Sequence, residues 1–204
     1  MTGEKDALAD VSRETLERLE TYESLLRKWN PAINLVAKST LDDLWDRHIV
    51  DSAQVFRLIP EFQHWADLGS GGGFPGMVVA ILAAEKHPGA QVTLVESDLR
   101  KATFLRTVAR ETGIDATVLS QRIEQTRPLG ADVLSARALA PLSKLLEFAE
   151  RHLSPSGTAL FLKGQNFQTE LDTALASWRF DVQKIPSQTE STAVILKIGG
   201  LARV

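Results

Sequence analysis

The sequence predicts an α/β fold: a mostly parallel, seven-stranded sheet with helices on both faces, preceded by helices and closed by an antiparallel hairpin. Three observations carry this. From residue 63 onward, short β-rich runs alternate with helical stretches, the pattern of a parallel sheet covered on both sides. A glycine-dense loop, "DLGSGGGFPG" (67–76), follows the first such run, where open α/β sheets bind ligands. The last two runs, "FDVQKI" and "TAVILKI", are separated only by "PSQTES", too short for a parallel crossover.

Taken in order, the chain opens with two helical patterns. In "SRETLERLETYESLLRKWN", Leu16, Leu19, Tyr22, Leu26 and Trp29 recur at three- and four-residue steps and make one apolar face. Glu14–Arg18 and Glu23–Arg27 are i,i+4 pairs in the favourable orientation. Pro31 is expected to end this helix, because proline disfavours the α conformation at the residue before it. The second helix is expected to start at a capping box, Thr40 with Asp43, and to run to Pro60. Residues 1–60 therefore read as a helical extension packed as one unit with a domain over 61–204.

The alternating region follows. "HWADL" precedes a helix through "PGMVVAILAAEK", and "QVTLVE" precedes a helix through "RKATFLRTVARE" that Gly113 closes. "ATVLS" comes next, then "ADVLSAR" with a helix from Pro141 to His152, then "TALFLKG" with a helix near Phe167 to Trp178. Trp29, Trp45 and Trp178 are assigned to packing on helical faces.

With 204 residues, 44% of them hydrophobic, the chain can bury a full core without metal or disulfide support. It has no cysteine, which removes thiolate metal sites and cysteine nucleophiles. The charged start "MTGEKDALAD" does not read as a signal peptide, and the apolar run 77–84 is too short to span a bilayer. A cytoplasmic protein with no membrane partner, monomeric, is the expectation. The net charge of −3 gives no overall nucleic-acid footprint, although residues 99–151 are net basic.

The loop satisfies two patterns at once. Gly71-x-Gly73-x-x-Gly76 matches the dinucleotide fingerprint, whereas Asp67-x-Gly69-x-Gly71-x-Gly73 matches enzymes that hold S-adenosylmethionine. A pyrophosphate favours backbone amides and a helix N-terminus, and an acid there would oppose it. Asp67 is therefore expected to face the cationic end of a methyl donor. Glu96, at the end of the second strand, can accept the hydroxyls of a ribose, which both ligands contain. The terminal hairpin favours the methyl donor, being the methyltransferase variation of this sheet.

Beyond the loop, "KWNPAINL" (28–35), "RHIVDS" (47–52), "RKATFLR" (100–106), "QRIE" (121–124), "ARALAPL" (136–142) and "LKGQ" (162–165) occur in order. With "DLGSGGGFPG", they resemble the bacterial 16S ribosomal RNA guanine-N7 methyltransferases, the RsmG or GidB family. The resemblance implies a class I S-adenosylmethionine-dependent methyltransferase, Rossmann-like, acting on 16S ribosomal RNA within a small-subunit particle. It implies cofactor contacts at Gly69, Gly71 and Phe74 in the loop, with Phe74 as an apolar wall. Ile123 and Glu124 would meet the adenine, and Arg137 would sit at the active-site mouth. Two positions depart from the family pattern: Ala136 stands where serine is usual, and Val36 where threonine is common.

The implied chemistry suits the residues present. Guanine N7 carries a free lone pair, so methyl transfer to it needs orientation more than a general base. Cytosine C5 methylation normally uses a cysteine, which is lacking, and amino-group methylation uses an Asn/Asp-Pro-Pro-aromatic motif where this chain reads "SARALAPL". His48 either touches substrate or bonds to Asp51 on the same helical face. Lys163 either contacts a phosphate or is a solvated strand-end lysine, and Arg100, Lys101, Arg106 and Arg110 read as surface charges. No metal site is expected. Two alternatives stay open: a methyltransferase for a small molecule or protein, and a non-catalytic NAD-type nucleotide-binding module.

Overall fold

The computed structural model describes residues 8–204; most of the charged start "MTGEKDALAD" lies outside them. Seven strands form one sheet in the order β3-β2-β1-β4-β5-β7-β6. They are β1 (His64–Leu68), β2 (Gln91–Val95), β3 (Thr117–Leu119), β4 (Ala131–Arg137), β5 (Leu153–Lys163), β6 (Trp178–Pro186) and β7 (Val194–Arg203). β1 to β5 pair in parallel, and β7 pairs antiparallel with both β5 and β6. The strand order reverses between β1 and β4, and a crevice opens there at their carboxyl ends.

Two apolar layers hold the helices. α1 (Arg13–Ile33), α3 (Gly76–Lys86) and α4 (Leu99–Thr112) cover one face, with Leu19, Tyr22, Leu26, Met77 and Phe104 in the same buried cluster. α5 (Leu142–His152) and α6 (Phe167–Ala174) cover the other through Leu142, Leu145, Leu146 and Leu171. α4 starts on Asp98, whose side chain accepts from the amides of Arg100 and Lys101, and ends on Gly113 in the left-handed region at φ 66°. On the wet side of α1, Arg18–Glu14 and Arg27–Glu23 form ion pairs at 2.6 and 2.7 Å. α1 is fixed to α3 by Glu85, which accepts from Ser12 N at 2.9 Å and from Thr15 Oγ1 at 2.5 Å. The packing of α1 on α3 and α4 thus combines apolar burial with a charge-assisted cap.

Five local expectations are corrected. Pro31 lies inside α1, which continues to Ile33 and ends at Asn34 with φ 48°. The buried Asn30 side chain explains the later ending, since its Oδ1 accepts from Leu35 N at 2.7 Å and Val36 N at 2.9 Å. The capping box at Thr40 does not form: Thr40 bonds to the Ala37 carbonyl and to His48 instead. The second helix begins as a π-helical turn, Trp45–Val50, and continues as α2 (Asp51–Arg57). Lastly, α6 stops at Ala174, and Trp178 opens β6 opposite Arg203, whose guanidinium lies 4.6 Å from the indole centroid. β5 also begins at Leu153, five residues before the β-rich run, because Leu153 pairs with Ala131 across a bulge.

Candidate functional site

The crevice holds a cavity of about 450 Å³. Gly69, Gly71, Phe74, Glu96, Ile123, Glu124 and Arg137 all line it, brought together from β1, β2, the turn after β3 and the end of β4. Its size and its mix of apolar walls with a few convergent polar groups are those of a small-molecule site. A second cavity, of about 610 Å³, adjoins it and is lined by His48, Lys163, Arg47, Gln165 and Glu190. Leu35, Arg137 and Ala138 belong to both, so these three residues are the partition. Ala138 sits there with φ 51°, a left-handed conformation that costs a non-glycine residue about 1 kcal/mol or more.

Each glycine of the loop has its own reason. Gly69 has φ 64°, and a Cβ there would lie 2.5 Å from Leu139 Cδ1. Gly76 opens α3 against β1, and its Cβ would lie 2.5 Å from the Cβ of Asp67 and 2.4 Å from Leu94. The third glycine of the fingerprint thus serves close helix–strand packing. The N-terminal helix also supports the loop. Tyr22 Oη donates to the Gly72 carbonyl at 2.5 Å, and its ring lies 5.2 Å from Phe74.

Asp67 corrects the sequence reading. Its side chain is fully buried beneath the loop and does not line the cavity. It accepts from Ser135 Oγ at 2.7 Å, and Ser135 in turn accepts from Trp65 Nε1 at 2.9 Å. Burial raises its carboxyl from 3.8 to about 6, against the lowering effect of hydrogen bonds from Ser135, Ser70 and the Gly76 amide and of the Arg137 charge. The strand alternation puts residue 67 on the face covered by α3, so an acid at a strand end need not face the ligand.

Glu96, unlike Asp67, lines the cavity. Its two oxygens accept from Gly71 N at 2.8 Å and Asp98 N at 2.7 Å, and each retains a lone-pair site for a ribose hydroxyl. Three further loop amides are engaged: Gly69 and Ser70 donate to the Val95 carbonyl, and Gly73 to that of Ser70. A pyrophosphate cradle needs free amides facing the ligand. Here the amides of Gly69, Ser70, Gly71 and Gly73 are spent within the protein, that of Gly71 on a carboxylate that would repel a phosphate.

Ile123 is held on a short 3-10 turn that α5 fixes from below. His152 Nε2 contacts the Ile123 carbonyl at 3.1 Å, and the Arg151 guanidinium donates to that of Thr126. Glu124, by contrast, is exposed at the rim.

His48 is not bonded to Asp51, which accepts from Ser187 and Thr189. Its Nδ1 lies 2.8 Å from Arg137 Nη1, and its ring stacks on Phe74 at 4.9 Å between centroids. Burial, then the charges of Arg137 and Arg47, push the imidazole down to about 3. Arg137 itself is lowered by burial, opposed by the charges of Asp51, Tyr22 and Asp67. Lys163 is neither solvated nor free: it pairs with Glu170 at 2.7 Å and donates to the Ala140 carbonyl. Lys101, assigned to the surface from sequence, lines the first cavity. Leu35, Thr40 and Tyr22 were also missed as site components; Tyr22 meets Gly72 fifty residues away, and Thr40 meets His48 only through the turn between them.

The comparisons with known proteins agree with this geometry. A family model, GidB, described as rRNA small subunit methyltransferase G, matches residues 15–195. The chain is 60% identical over 195 residues to the Ribosomal RNA small subunit methyltransferase G of Ruegeria sp. (strain TM1040), covering 96% of this chain and 95% of that one. It is 55% identical over 193 residues to the protein of the same name from Rhodospirillum centenum, covering 94% and 87%. Two solved structures share the fold at low identity. The O-methyltransferase from Bacillus cereus superposes with a TM-score of 0.60 at 12% identity, covering 96% of this chain and 94% of that one. A SAM-dependent methyltransferase from Aquifex aeolicus also has a TM-score of 0.60, at 13% identity, covering 76% and 92%. The fold is therefore that of the class I S-adenosylmethionine-dependent methyltransferases. The chain belongs to the GidB family, rRNA small subunit methyltransferase G.

Proposed function

We propose that this chain transfers the methyl group of S-adenosylmethionine to N7 of a guanine in 16S ribosomal RNA. The observation that carries the reading is the pair of cavities meeting at Arg137, one suited to a nucleoside and the other open to an acceptor. The residues of the first cavity fit the methyl donor. Glu96 offers acceptors to a ribose, Phe74 and Ile123 offer apolar walls to an adenine or a methylene chain, and the Glu96 carboxylate on Gly71 N opposes a pyrophosphate.

S-adenosylmethionine supplies, when bound, a methyl carbon on a positively charged sulfur. The N7 lone pair forms the new C–N bond as the C–S bond breaks and its electron pair stays on sulfur. No proton leaves N7, so the protein has to align the reactants and exclude water. Leu35, Arg137 and Ala138 form the partition across which the two ligands would meet. The extension 1–60 and the domain 61–204 act as one unit in this reading, since Leu35 and His48 come from the former. The reading places the enzyme in the cytoplasm, working as a monomer on a small-subunit particle.

Labelled methyl transfer into methyl-deficient small subunits, deproteinised 16S RNA and short oligonucleotides tests this. The expected product is 7-methylguanine in 16S RNA, strongest on the particle. Label in another base, or none in any RNA, overturns the reading.

A further inference from the structure

We propose that His48 is a positioning residue: its neutral imidazole accepts from Arg137, donates to Thr40, and so holds the Arg137 guanidinium in the wall between the two cavities. The proposal rests on the methyl-transfer reading above.

The proton assignments follow from the donors available. Arginine has only donors, so Nδ1 of His48, 2.8 Å from Arg137 Nη1, must be the acceptor. A neutral ring then carries its hydrogen on Nε2, which lies 2.9 Å from Thr40 Oγ1. The Thr40 hydroxyl in turn donates to the Ala37 carbonyl at 2.9 Å. Every hydrogen in the chain is assigned, and all donors point one way, from guanidinium to backbone. Phe74 closes the arrangement, with the imidazole stacked on it and the Arg137 guanidinium carbon 5.0 Å from its centroid. The π-helical turn Trp45–Val50 carries His48, and the 3-10 turn Lys38–Thr40 carries its other partner.

Such an anchor has a chemical purpose at this site. An arginine free to turn meets guanine through O6 and N7 together. That contact would cover the lone pair which has to attack the methyl carbon. Committing Nη1 to His48 limits that freedom and leaves the remaining guanidinium donors for an acceptor such as O6.

The test compares His48→Asn, which keeps an acceptor near the Nδ1 position, with His48→Phe, which keeps only the ring. Expected is a fall in kcat of about a hundredfold for H48F, the scale of a misplaced catalytic group. Its KM for S-adenosylmethionine should be unchanged, and H48N should recover most of the turnover. Wild-type turnover in H48F, or H48N no better than H48F, overturns the proposal. A separate readout does not depend on activity: nitrogen NMR of the His48 ring should show hydrogen on Nε2 alone between about pH 5 and 8. Arg137→Ala should release the ring to a mixture of tautomers. A ring that already titrates or mixes tautomers in the intact protein overturns the anchor, whereas absence of guanine methylation with the ring locked overturns only the functional reading.

Discussion

Tyr22, in the first helix, donates its buried hydroxyl to the carbonyl of Gly72, fifty residues away in the loop that lines the first cavity. The loop is therefore shaped partly by a helix outside the sheet domain. Tyr22→Phe removes the donor and leaves a buried carbonyl without it, at a cost of about 1–3 kcal/mol. The expected result is a lower melting temperature together with weaker binding of S-adenosylhomocysteine. A variant that melts lower but binds unchanged would show that the bond supports the fold and not the cavity.

Glycines 71 and 76 should respond differently to alanine. A Cβ on Gly71 meets only a backbone oxygen at 3.8 Å, so its cost is the left-handed backbone at φ 54°, about 1–2 kcal/mol. At Gly76 the Cβ would overlap both Asp67 and Leu94, and α3 would have to move off β1. Overpacking of this kind costs about 1–3 kcal/mol and shifts the backbone. G76A should show a disturbed fold by hydrogen exchange across α3, and G71A should not.

The buried Asp67 predicts a particular pH dependence. Its folded value, about 6, lies above the ordinary 3.8, so the folded state binds more protons between these values. Stability from this group is fully present below about pH 3.8 and is lost as pH rises through about 6. His48, lowered to about 3 from 6.5, acts in the opposite sense: its contribution is present above 6.5 and lost as pH falls toward 3. The two oppose each other in the wild type, so the Asp67 contribution is read by comparison with Asp67→Asn. Across that window the wild type should lose up to about 3 kcal/mol relative to D67N, at 1.36 kcal/mol per unit. Denaturant midpoints at a series of pH values measure it, and a constant difference would sink the idea.

Ligand choice follows from Glu96 and the engaged amides. Calorimetry should show binding of S-adenosylhomocysteine and no comparable binding of NAD. Glu96→Gln places an amide group against Gly71 N or Asp98 N, both of which need an acceptor. Binding should weaken by about tenfold or more, the scale of one lost charge-assisted hydrogen bond. Tight NAD binding by the intact protein would contradict the assignment of the cavity.

Local patterns determined much of this molecule. "HWADL" and "ADVLSAR" are strands with the boundaries read from sequence, Gly113 closes its helix, and the last two runs pair antiparallel. Periodicity, caps and loop length act over a few residues, so a single sequence displays them. The loop and Glu96 could be marked as one site because each sits at the carboxyl end of a strand, whereas Ile123 and Arg137 are marked by the resemblance to the family. What the tertiary structure alone decided is how these residues are held. It put Asp67 under the loop, drew α1 through Pro31 by way of Asn30, and turned His48 from Asp51 to Arg137. Each outcome depends on burial or on partners that only folding brings together: His48 and Arg137 are 89 residues apart, and Asp67 and Ser135 are 68. Desolvation and packing between distant segments chose those partners, and no local pattern records that choice.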